Sequence, residues 1–274
     1  MWPLCPPRPT RRPMWSSWLT AMPKRTWLTC VSCRWSSREH AMDERIEDER
    51  LSAEYLEEGA ALFLLLGRLF HGVPDPVLFA EAANDRIFDE MPFVRGEEAL
   101  RAGACLRAWA DRCSSPFSDD DFHEVSAEYA RLFVGGLTVP APMWESVYFN
   151  KDRMVFQHQT FEVRAMYARY GLEVDALAHE PDDHLAYELL FVARLFALAA
   201  EHRRASCHDE ADAVLADLVS FAVCHPLTWV SQWRDNVRRY AKDGFYRGYA
   251  DLVCAALTEV ECALAPQMAS APSV

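Results

Sequence analysis

From position 51 onward, apolar residues recur at intervals of three and four, the spacing of helices that bury one face. Leu51, Tyr55, Leu62, Leu66, Leu69 and Phe70 fall near one side of a first helix, with Glu47, Glu54, Glu57 and Arg68 elsewhere around it. Gly72-Val73-Pro74-Asp75-Pro76 stops it, because proline cannot donate to a helical ladder and constrains its predecessor. Shorter helices are predicted at 77–84 and 97–113. Ser118 then offers a cap and Asp119, Asp120 and Asp121 place negative charge at a helix start. The stripe continues through Phe122, Val125, Tyr129, Leu132 and Phe133 until Gly135-Gly136. Residues 137–152, with Pro140-Ala141-Pro142, make one extended connection, apolar enough to pack. Phe156, Thr160, Val163, Tyr167 and Tyr170 trace a further helical face closed by Gly171. Leu185 to Ala199, 209–223, Trp229 to Tyr240 and Phe245 to Leu264 mark the last four helices. No segment alternates with period two for long enough to demand a sheet. The pattern predicts an all-α protein, a single compact bundle of about nine or ten helices over 42–266, with a frayed tail at 267–274.

Composition sharpens this reading. With 274 residues and 51% apolar content the chain can fill a sizeable core. The net charge of −13 is unevenly spread: residues 1–41 carry seven Arg or Lys against Glu39, whereas 21 basic and 40 acidic residues follow, a balance near −19. An acidic body repels polyphosphate and attracts basic partners, so nucleic acid is excluded and an arginine-bearing peptide is favoured. Residues 1–41 hold five of the nine Trp, six of the sixteen Pro, no Gly and no apolar period. They read as a disordered extension, or as sequence upstream of a true start at Met42. Thr10-Arg11-Arg12-Pro13-Met14-Trp15 has the paired arginines of an export signal, but Lys24 and Arg25 interrupt the apolar stretch that should follow. No run approaches the ~18 uninterrupted apolar residues of a membrane span. The nine cysteines are scattered and read as thiols of a reducing compartment; the Cys30-x-x-Cys33 pair lacks the second pair a zinc site needs.

The densest polar group is His179-Glu180-Pro181-Asp182-Asp183-His184. Zinc-binding helices place histidines four apart on one face; these are five apart with a proline between, so no metal site is assigned. Asp182 or Asp183 instead suits the N-cap of the helix at 185, leaving Glu180, His184 and one carboxylate for a ligand, with Glu188 one turn on to tune His184. Ser146 lacks the glycine-flanked elbow of a hydrolase nucleophile, and Gly135-Gly136 is not followed by a phosphate-loop lysine. No catalytic residue and no cofactor are therefore assigned. The rival from another class is a metal-dependent hydrolase built on His158, His179 and His184.

Three motifs in order, Glu128-Tyr129-Ala130-Arg131-Leu132-Phe133, Pro142-Met143-Trp144-Glu145-Ser146-Val147-Tyr148 and Glu180-Pro181-Asp182-Asp183-His184, resemble the TorD/DmsD family of redox-enzyme maturation chaperones. Phe221-Ala222-Val223-Cys224-His225-Pro226-Leu227, Trp229, Trp233 and Phe245-Tyr246 are similar to that family's ending, and the resemblance spans roughly 50–262. It implies a cytoplasmic, non-enzymatic, all-helical chaperone that binds the twin-arginine leader, or the apo form, of a molybdopterin oxidoreductase of the dimethyl sulfoxide or trimethylamine N-oxide reductase type until its cofactor is inserted. It also implies a leader-binding set of Trp144, Glu145, Tyr148, Glu180, Asp182, Asp183 and His184, and a family motif of Tyr129, Arg131, Leu132, Phe133 and Pro181. Carboxylates beside aromatics are what a doubly basic, apolar peptide requires. A second possibility on the same residues is a grip on the cofactor-free client away from its leader. A monomer or a domain-swapped dimer is compatible with the sequence. Two features depart from the family: the first 41 residues, and Phe156-Gln157-His158 where a smaller, often glycine-bearing turn is expected.

Overall fold

The computed structural model describes residues 51–135, 138–174, 180–242 and 244–269. The expectations for 1–41, Gly136, His179 and 270–274 lie outside these residues. Ten α-helices and one π turn appear among the described residues, and an isolated antiparallel bridge joins Trp144 to His184. The helices are α1 Ala53–Phe70, α2 Pro76–Asn84, α3 Gly96–Arg112, α4 Asp119–Tyr129, α5 Ser146–Phe149, α6 His158–Arg169, α7 Leu185–Arg204, α8 His208–Cys224, α9 Pro226–Tyr240 and α10 Phe245–Ala269. The all-α reading is borne out.

Local chemistry accounts for several boundaries. Ser52 caps α1 by accepting from Tyr55 N at 3.2 Å, and the segment that stops α1 also starts α2, where Asp75 caps and Pro76 opens the first turn. Ser118 and Asp121 form a reciprocal capping box on α4. At the end of α6, Gly171 takes φ 71° while Leu172 N bonds Tyr167 O and Gly171 N bonds Ala168 O, a Schellman closure. α10 runs to Ala269, past Pro266 where fraying is predicted.

Two elements differ from the sequence reading. The stripe predicted as one helix to Gly135 widens after Tyr129 into the π turn Ala130–Val134, closed by Gly135 N on Ala130 O at 2.7 Å. Leu132 O accepts from Ala141 N at 3.0 Å, which anchors the following connector. That connector, predicted to be extended, contains the short α5.

The core forms around α7, which is buried on nearly every side and packs most extensively on α1. Close approach is possible because Gly59 and Gly67 face it: a Cβ at Gly67 would lie 2.6 Å from Leu190 Cγ, and one at Gly59 within about 3 Å of Phe93 and Phe196. Phe70 stacks on Tyr249 at 4.2 Å and meets Phe133, Trp233 and Tyr246 edge-on, joining α1, the π turn, α9 and α10. No single helix among the described residues is long and apolar enough to cross a membrane.

Candidate functional site

Two loops, each leading into a helix, meet at the bridge. Glu145 N donates to Asp183 O at 3.0 Å and Leu185 N to Met143 O at 2.8 Å, so the segment before α5 and the segment before α7 are stitched together by backbone. The side chains then lock the junction. Asp183, fully buried, accepts from Ser146 N and from the Thr160 hydroxyl, both at 2.8 Å, which caps α5 and ties it to α6. Asp182 Oδ2 accepts from Arg164 Nε at 3.1 Å and Nη2 at 2.6 Å, and its carbonyl accepts from the Tyr167 hydroxyl. Neither aspartate caps α7. That role falls to His184, whose Nδ1 accepts from Ala186 N at 3.2 Å. The correction follows from reach: both carboxylates are engaged by other elements, and the imidazole is the side chain at the N-cap position.

An acceptor Nδ1 makes His184 a neutral imidazole. Burial, then the nearby charge of His71, brings its pKa down to about 3. Glu188 is not the tuner that the sequence suggests. It is fully buried and faces Glu145 and Asp183, with Trp229 Nε1 donating to it at 3.3 Å. Desolvation first, then the charges of Glu145 and Asp183, raise its carboxyl well above the usual range. Glu145 is buried as well, with its Oε2 3.1 Å from His225 Nδ1 at the α8–α9 break. Tyr148 packs its ring 5.0 Å from Trp229 and donates to Pro142 O, and burial raises its phenol.

Only part of the expected set is open to solvent. Glu180 is exposed and accepts from Trp144 Nε1 at 3.0 Å; Trp144 and Tyr148 are half-buried; Glu145, Asp182, Asp183 and His184 are buried. The family motif is mostly buried. Leu132, Phe133 and Pro181 are core, Arg131 bonds Glu128 and Tyr240 O, and Tyr129 donates to Gly72 O. Burial and then the charge of Glu180 push the Tyr129 phenol up to about 12. Thr160 and Arg164, which complete the network with Trp229, carry no sequence signal beyond their place on a helix. His225 is legible only within the Phe221–Leu227 stretch that is similar to the family's ending.

The hydrolase alternative finds no support among the described residues. His158 is exposed and paired with Glu162 at 2.8 Å on the first turn of α6, whereas the one ring nitrogen His184 offers as a ligand, Nδ1, caps a helix. Among the described residues no three His, Cys, Asp or Glu side chains converge on a metal-sized site, and Ser146 is buried under Asp183.

The fold and the site therefore define an all-helical scaffold with a braced loop pair topped by an acidic and aromatic surface. A family model described as nitrate reductase delta subunit matches residues 97–235, about half of the chain, and the chain belongs to that family. It is 28% identical over 144 residues to the Tat proofreading chaperone DmsD of Salmonella typhimurium, covering 53% of this chain and 64% of the relative. It is 24% identical over 132 residues to the chaperone protein TorD of Vibrio parahaemolyticus, covering 48% and 60%. A probable Tat proofreading chaperone DmsD of Haemophilus influenzae is 24% identical over 135 residues, with 49% and 59% covered. The chain thus spans less than two thirds of each relative's length. The TorD/DmsD resemblance carried by the motifs is borne out.

Proposed function

We propose that this chain is a non-enzymatic chaperone of the cytoplasm, which binds the twin-arginine leader, or the apo form, of a molybdopterin oxidoreductase catalytic subunit and assists cofactor insertion before export. The observation that carries the reading is the exposed Glu180 carboxylate held against the Trp144 indole on top of a rigid loop pair. A carboxylate beside an aromatic face suits a guanidinium, and a site built on helix starts is preorganised. The relatives named as Tat proofreading chaperones support the same reading. In it, Glu180 and Trp144 touch the leader and Tyr148 borders it, while Glu145, Asp183 and His184 set the shape of the loops.

Calorimetry with a synthetic peptide carrying two arginines and an apolar segment tests the proposal. Glu180→Gln is expected to weaken binding by roughly fivefold to tenfold at low salt with helicity unchanged. Unaltered affinity would remove Glu180 from the site, and a wild-type protein that ignores the peptide would end the leader reading.

A further inference from the structure

Asp182 already holds a guanidinium. Arg164 lies over the Phe161 ring, 5.5 Å from its centroid, and bonds the Asp182 carboxylate. The two partners differ in burial: the Asp182 side chain is 7% exposed and that of Arg164 51% exposed. Both bonds from Arg164 fall on one oxygen, Oδ2, so the pair is not the two-oxygen fork that gives arginine–carboxylate contacts their full strength. A nearly buried carboxylate on a residue whose backbone carbonyl is held by Tyr167, an aromatic face and a poorly matched cation able to swing into solvent make a cradle in which one arginine can replace another.

The cradle also has an apolar approach. Phe161 is 57% exposed, and the connector before α6 turns Met154 and Phe156 outward at 57% and 51%. Phe156 holds φ 58°, a backbone state that bulky residues rarely adopt. This is the position where the family pattern expects a glycine-bearing turn, so the backbone keeps the glycine conformation while the side chain presents an aromatic ring to solvent. Asn150 pins the segment through bonds to Ser146 O, Met154 O and Met154 N. A second copy of this chain is a poor occupant, because two bodies of net charge −13 repel. A peptide with arginine followed by apolar residues matches both halves.

We propose that Arg164 is a built-in placeholder for a client arginine: on binding, its ion pair with Asp182 breaks, its guanidinium moves to solvent, and an arginine of the client takes the Asp182 carboxylate and the Phe161 face. The proposal rests on the leader reading above and adds a named site for one of the two arginines. Charge is conserved in the exchange, one guanidinium for another.

Fluorescence anisotropy with a labelled peptide of two arginines and an apolar segment tests it on the full chain. Removing the competitor in Arg164→Gln is expected to tighten binding by roughly fivefold, opposite in sign to the loss that a purely structural arginine would give. Asp182→Asn in the Arg164→Gln background should abolish the gain. With a peptide whose arginines are both changed to lysine the gain in Arg164→Gln should shrink, since an ammonium pairs with the freed carboxylate only as a point charge and cannot fork or lie flat on the ring. Peptide should also raise the melting temperature of Arg164→Gln more than that of wild type. Equal or weaker binding by Arg164→Gln while wild type binds normally overturns the exchange and leaves the leader reading intact. No binding by wild type overturns both.

Discussion

Replacing the cap of α7 tests the electrostatics of the junction. His184 Nδ1 accepts from Ala186 N, and the ring lies 5.8 Å from Trp144 and 5.9 Å from Tyr187. Its folded pKa of about 3, against an ordinary 6.5, means that below pH 6.5 the unfolded chain binds a proton that the folded chain refuses. Stability contributed by the neutral ring is present above 6.5 and is lost as pH falls toward 3. At about 1.4 kcal/mol per pH unit, acidifying from pH 7.5 to 5.0 costs wild type roughly 2 kcal/mol through this group alone. His184→Asn keeps a good capping oxygen and abolishes the titration. Lost ring packing lowers its stability at every pH by a constant amount, and all other titrating groups cancel in the comparison. Urea unfolding of both proteins at the two pH values should therefore give a double difference of roughly 2 kcal/mol, with the variant less sensitive to acid. The same pH dependence in both proteins would refute the buried, neutral histidine.

Two further outcomes follow from the carboxylates. Glu188 titrates above its ordinary 4.5 in the folded state, so its contribution is present below that value and is lost as pH rises through the raised pKa; Glu188→Gln should unfold at higher temperature than wild type at pH 8 and lose the advantage near pH 4, as read by calorimetry. Asp183→Ala strands the Ser146 amide and the Thr160 hydroxyl in a buried site and unties α5 and α6 from α7, which should cost about 3 kcal/mol in chemical denaturation; a loss below about 1 kcal/mol would mean that the network does not hold the loops.

The helices were legible because each buries a face long enough to show its period. The start of α1, the capping box at Ser118 and the stop at Gly171 follow from chemistry within a few residues. What escaped depends on distant partners. α5 is four residues long, and its first amide is satisfied by Asp183, 37 positions away. The π turn keeps Tyr129, Leu132 and Phe133 at spacings that an α-helix would share, so only the register after it reveals the extra residue. Phe156 fits the apolar stripe of the next helix, yet it lies outside α6 with positive φ. At the site, the residues of the three motifs do come together, but a run of Asp, Asp and His reads as surface when it is largely buried. Burial there is set by Arg164, Thr160 and Tyr167 on a helix that precedes the motif.

The same distinction divides the labour of the acidic groups. Asp183 and Glu145 are acidic side chains inside a helical core, and such polar groups persist there only where partners are fixed around them. Here the partners are a backbone amide, a hydroxyl and an imidazole from three different elements, and burial beside them raises the pKa of Glu188. This arrangement costs stability that an apolar junction would not, but it specifies one relative position for the starts of α5 and α7. The indole of Trp144 and the carboxylate of Glu180 are displayed from that junction, so their separation is set by groups a client never touches. A receptor for a short, flexible peptide gains from such rigidity, because the ordering entropy at the interface then falls on the peptide alone.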